Sequence, residues 1–149
     1  MKRIVSVVFL LFLTALPLRG GSYDFGLGII LGEPTGITFK YWASDKAAFD
    51  GALAWSFSKE DKFHIHGDYL VHSLNAYILD EIPFNLYYGI GARVKFTSET
   101  QFGIRFPLGT TYTPTSTPLE VFCEIVPLMD LAPDTSFRFN AGLGIRYYF

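Results

Sequence analysis

The three histidines of the chain, His64, His66 and His72, fall in one short segment together with Asp68. In an extended strand, residues two apart point the same way, so these four share a face. His64 and His66 would stand about 6.6 Å apart along the strand. That separation lets them share a metal ion if the rings converge, with Asp68 or a carboxylate of a neighbouring strand as a third ligand. The competing reading makes the imidazoles hydrogen-bond partners in a polar interior. It needs no ion and is the one adopted, so no metal and no other cofactor is expected. His72-Ser73-Leu74-Asn75 also assembles residue types used in acyl transfer. A base must reach the serine hydroxyl to activate it, and adjacent strand residues point to opposite sides. No catalytic residue is assigned, and the chain is not expected to be an enzyme.

The elements that carry these residues follow from alternation. Asn140 to Phe149 reads Ala141, Leu143, Ile145, Tyr147 and Phe149 on one face and Asn140, Gly142, Gly144, Arg146 and Tyr148 on the other. Strict period two marks a strand with one apolar and one polar side. At the other end, Met1-Lys2-Arg3 precedes an apolar run from Ile4 to Leu18. That run is short of the roughly 20 residues a spanning helix needs. It has the shape of a secretory signal peptide. With Gly20 and Ser22 as the small residues before the cut, cleavage is expected after Ser22. The chain then divides into a signal peptide, residues 1–22, and one domain, residues 23–149.

Composition narrows the function. Removing Lys2, Arg3 and Arg19 from the twelve Lys and Arg leaves nine against fourteen Asp and Glu, a net charge of −5. An acidic balance argues against a nucleic-acid partner. Cys123 is the only cysteine, so no intramolecular disulfide forms. Half of the residues are apolar, yet nothing after the signal reads as a spanning helix. A membrane protein of this pattern must cross by closed strands.

Eight strands are expected, over 23–32, 36–43, 48–57, 62–79, 84–96, 101–113, 119–130 and 135–149. Their connections are rich in turn formers. Loss of alternation around Ser73–Tyr77 predicts a bulge, and Pro107 predicts an irregularity, because it cannot donate to a ladder. One face carries Phe25, Leu27, Ile29, Phe39, Tyr41, Phe49, Leu53, Trp55, Phe63, Ile65, Tyr69, Leu86, Tyr88, Ile90, Phe102, Ile104 and Phe106. It continues with Leu119, Val121, Ile125, Phe137, Phe139, Leu143 and Ile145. The other carries Asp24, Lys40, Asp50, Asp68, Arg93, Lys95, Arg105, Glu120, Glu124, Arg138 and Arg146, interleaved with glycines. A small barrel has room inside only for its own side chains, so the bulky face must look outward to lipid. The expectation is an all-β, eight-stranded antiparallel transmembrane β-barrel of up-and-down order. Phe57, Phe63, Phe96, Phe102 and Phe137 would anchor one rim, and Tyr23, Tyr41, Phe49, Phe84, Tyr112, Tyr147 and Phe149 the other. The eleven inward charges should form a connected ion-pair network, which plugs the lumen. The alternative is a narrow conduit, or a binding site for a small solute or metal ion, within it.

The residues that carry a family likeness are Gly26 to Trp42, the His64–His72 segment, Leu86 to Arg93 and Gly144 to Phe149. Over the mature chain they resemble a family of short outer-membrane barrel proteins of spirochaetes and other diderm bacteria. The architecture is similar to the transmembrane domains of OmpA and OmpX. The resemblance implies residence in the outer membrane of a diderm bacterium and a structural or surface-interaction role. It implies contact with outer-membrane lipid, with periplasmic chaperones in transit, with the barrel-assembly machinery, and with a host or surface ligand it does not name. Gly144, Tyr147 and Phe149 match the terminal-strand signal which that machinery reads. The lipid A deacylases are similar in size, but they use a His-x-Ser-Asn segment whose spacing His72-Ser73-Leu74-Asn75 does not reproduce.

Overall fold

The computed structural model describes residues 24–33, 35–56, 62–114 and 116–149. The expected signal peptide and its cleavage site lie outside these, as do Tyr23 and Phe57 of the expected rims. The described residues form one antiparallel sheet of nine strands: β1 (Phe25–Gly32), β2 (Thr35–Trp42), β3 (Ala47–Ser56), β4 (Lys62–Leu79), β5 (Ile82–Phe96), β6 (Gln101–Arg105), β7 (Leu108–Tyr112), β8 (Leu119–Ala132) and β9 (Ser136–Tyr148). The order is β4-β3-β2-β1-β9-β8-β6-β5-β7, with further pairings of β4 on β5 and of β8 on β7. Each strand therefore has a partner along both sides.

This corrects the eight-stranded up-and-down barrel. The sixth stretch is not one strand but two, β6 and β7, both lying between β5 and β8. Two prolines explain the break. Pro107 has no N–H to give, although its carbonyl still accepts from Gly89 N at 3.0 Å. Across from it, Pro127 of β8 likewise only accepts, from Phe106 N at 2.9 Å. With two donors missing at the same place, the ladder stops. It resumes with β6 on Leu128–Ala132 and β7 on Val121–Ile125.

The bulge expected in β4 is present as a register shift between Ser73 and Tyr77. Asn75 sits there at φ 51°, a left-handed conformation that asparagine tolerates better than most residues. The amide N–H of Asn75 donates to Asn85 Oδ1 at 2.8 Å. Beyond the bulge β4 runs on to a two-residue turn, Asp80-Glu81, with φ of 50° and 66°. Two positive φ values are what a tight hairpin matching the strand twist requires. The connection is thus shorter than the four residues expected, because Ile82 and Pro83 already pair with Leu79 and Ile78.

Burial follows the pleat. In β8 every even-numbered residue from Glu120 to Asp130 is buried and none of the odd-numbered ones is. All twenty-four residues assigned to the apolar face are exposed or half-buried. Among the described residues, more polar and charged side chains than apolar ones are buried. Ile30, Leu70, Phe122, Val126 and Leu128 fill the remaining inner space. Glycine supplies part of that room: a Cβ on Gly144 would collide with the Phe122 ring.

Candidate functional site

The inner face gathers charges from strands far apart in sequence. Arg146 of β9 is the hub. Its Nη1 donates to Glu120 Oε1 at 2.9 Å, and its Nη2 donates to Asp50 Oδ2 at 3.0 Å and Thr38 Oγ1 at 2.9 Å. The guanidinium carbon lies 3.9 Å from the centre of the Phe122 ring, so the cation is both hydrogen-bonded and stacked. Lys40 donates to the second Glu120 oxygen at 3.0 Å and to His72 Nε2 at 2.9 Å. An ammonium can only donate, so Nε2 accepts and Nδ1 carries the ring proton. That proton points to the Lys46 carbonyl at 3.3 Å. Trp42 and Tyr87 place their rings 4.5 Å and 5.6 Å from the same ammonium.

A second group forms around Arg105 of β6. Its Nε and Nη2 donate to the two oxygens of Asp68 at 3.0 Å and 3.2 Å, a forked pairing that fixes both planes. Glu124 lies 3.7 Å from Nη2 and accepts from the Tyr87 hydroxyl at 2.8 Å. A third group centres on Asp130, which accepts from Arg93 Nη2 at 2.6 Å and pairs with Arg138 Nε at 3.4 Å. Asp50 and Asp68 are direct register partners on β3 and β4. Like charges so placed would repel, and each is turned to its own arginine.

No protein-family model matches the chain, and a search of curated proteins finds no match. Solved structures do resemble it. The N-terminal beta-barrel domain of Pseudomonas aeruginosa OprF is similar at a TM-score of 0.61 and 12% identity, over 84% of this chain and 95% of that one. The Yersinia pestis outer membrane protein Ail, in a phospholipid bilayer nanodisc, is similar over 84% of this chain and 97% of that one, at 14% identity and a TM-score of 0.43. At these identities the likeness is one of fold, and the OprF domain carries it. The narrower resemblance to a spirochaete family finds no counterpart among these matches.

Among the described residues the ion pairs join Lys40, Asp50, Asp68, Arg93, Arg105, Glu120, Glu124, Arg138 and Arg146 of the inner face. Arg138 is among them, but it sits toward the rim with half of its side chain exposed (49%). Lys95 is buried opposite His64. Asp24 is exposed ahead of β1 and joins none of the ion pairs among the described residues. Its place is taken by Asp130, whose parity with Glu120 and Glu124 along β8 is the signal that finds it. Tyr87 and Thr38 complete the hydrogen bonding.

The histidine row does not come together. His72 is held by Lys40, and Asp68 is held by Arg105, which leaves His64 and His66 with ring centres 6.0 Å apart. Among the described residues no three His, Cys, Asp or Glu side chains form a metal-ligand set. His72 is buried and Ser73 exposed, on opposite sides of β4. Tyr147 and Phe149 face outward with ring centres 5.2 Å apart, and Gly144 packs under Phe122.

Proposed function

We propose that this chain is a small integral outer-membrane protein with a structural or surface-interaction role, its apolar outer face in contact with lipid and its interior filled by ion pairs. The observation that carries the reading is inverted burial. Leu27, Ile29, Tyr88, Ile90, Ile125 and Leu143 are exposed, while Lys40, Arg105, Glu120 and Arg146 are buried at 0–2% exposure. Water would penalise an apolar surface this continuous, whereas lipid favours it and demands paired backbone groups on every strand. Aromatic pairs at both ends of the sheet, Phe63 with Phe96 and Phe84 with Tyr112, suit interfacial anchoring. Export by the N-terminal apolar run, chaperone escort and insertion by the outer-membrane assembly machinery belong to this reading, with Gly144, Tyr147 and Phe149 as the strand the machinery would recognise.

Cys123 is the natural probe, being the one cysteine and exposed on the outer side of β8. A nitroxide attached there, with the protein reconstituted in phospholipid vesicles, should collide with dissolved oxygen and be shielded from a water-soluble nickel chelate. The reverse order, high nickel and low oxygen accessibility, would place this face in water and end the proposal.

A further inference from the structure

The two halves of the interior differ in how well their polar atoms are matched. On Lys40, His72, Glu120 and Arg146 themselves every side-chain nitrogen and oxygen is engaged. On β4, β5 and β6 several are not. Both ring nitrogens of His64, Nδ1 of His66, Nε of Arg93 and Nη1 of Arg105 make no hydrogen bond, although all four residues are at least 95% buried. Register brings them together: His66 stands opposite Arg93, and His64 opposite Lys95.

The surplus is one of donors. Guanidinium nitrogens only donate, and a neutral imidazole offers one N–H. The unpartnered acceptors are fewer: the second ring nitrogen of His64, Gln101 Oε1 in the layer of Lys95 and Asp50 Oδ1 beside Arg146, with the Tyr148 hydroxyl able to act either way. Across the β4–β5 pair the histidines face Arg93 and Lys95, and the neighbouring carboxylates Asp68 and Asp130 are already taken by Arg105 and Arg93. A metal cation would meet guanidinium groups rather than free carboxylates. A water molecule would bring as many donors as acceptors, whereas an anion brings acceptors alone and the opposite charge.

We propose that the inner face of β4, β5 and β6 holds a small inorganic anion, of halide size, between the rings of His64 and His66 and the guanidinium groups of Arg93 and Arg105. Such an ion would supply the acceptors that these buried donors need and would tie three strands through one centre. The site does not depend on which medium surrounds the outer face.

Bromide is the probe. Crystals of the full chain refolded in detergent and grown in sodium bromide should show an anomalous peak within hydrogen-bonding distance of His64 and of Arg93 or Arg105. In solution, exchanging gluconate for bromide at constant ionic strength should raise the melting temperature saturably. His66→Leu should weaken that response at least about tenfold, equivalent to ~1.4 kcal/mol. Ordered water with no anomalous signal at these residues would overturn the proposal. So would an equal bromide response in H66L. If H66L fails to fold, the wild-type diffraction measurement decides alone.

Discussion

Arg146 shows how much depends on a single side chain in this interior. It satisfies Glu120, Asp50 and Thr38 at once, and it does so at 2% exposure. Removing one member of a buried ion pair leaves the other desolvated and uncompensated, which costs about 3–5 kcal/mol. Arg146→Met should therefore lose stability of that order in denaturant unfolding of the micelle-bound protein. Arg146→Lys keeps the charge but cannot fork between partners, and should fall between the two. Equal unfolding midpoints for wild type and R146M would mean that Glu120 and Asp50 find other partners. At this scale the sequence was readable wherever parity held. Lys40, Asp50, Asp68, Glu120 and Arg146 all sit on the inward parity of their strands. Asp130 shares that parity but ends the expected strand, and Tyr87 shares it on β5 but brings a ring to a face read for its charges.

At the scale of elements, the prolines and the bulge account for where the reading held and where it failed. The missing N–H of Pro107 was visible, but its consequence depended on Pro127 standing opposite, and that juxtaposition exists only once β8 is in register. The β4 bulge was visible as broken alternation, and its lock was not. The Asn85 side chain closes it from the next strand, accepting from the Asn75 N–H and donating to Thr111 Oγ1 at 3.3 Å. Tyr77 adds a hydroxyl contact to Thr110 at 2.9 Å. Asn85→Ala should release the hairpin beyond the bulge without disturbing β1 or β9. A lost hydrogen bond of ~1 kcal/mol corresponds to about fivefold faster amide exchange. Exchange measured at residues 75–84 should rise by that factor, while that at residues 26–31 stays unchanged. A rise shared by both regions would make Asn85 a residue of global stability rather than a local clamp.

For the whole molecule, the decisive property is that the apolar side of the sheet is the outer one. Alternation alone cannot say which side faces in, since a soluble sheet with an apolar core has the same period. The contents of the two faces decide it, because the interior admits glycines and long paired charges but not rows of Phe, Tyr, Leu and Ile. The test of what lies outside is the depth dependence of an inserted charge. Ile90 and Ile125 sit near the middles of β5 and β8 and are 53% and 55% exposed, and Phe96 ends β5 at 47%. Arginine on a lipid-facing site costs about 2–4 kcal/mol near the bilayer midplane and roughly 0–1 kcal/mol at the interface. Ile90→Arg and Ile125→Arg should therefore each destabilise the protein strongly in phospholipid vesicles, and Phe96→Arg hardly at all. On a water-facing surface all three would fall within about 0.5 kcal/mol of wild type. Three positions of similar exposure thus give unequal penalties only if the medium itself changes from the middle of the strands to their ends.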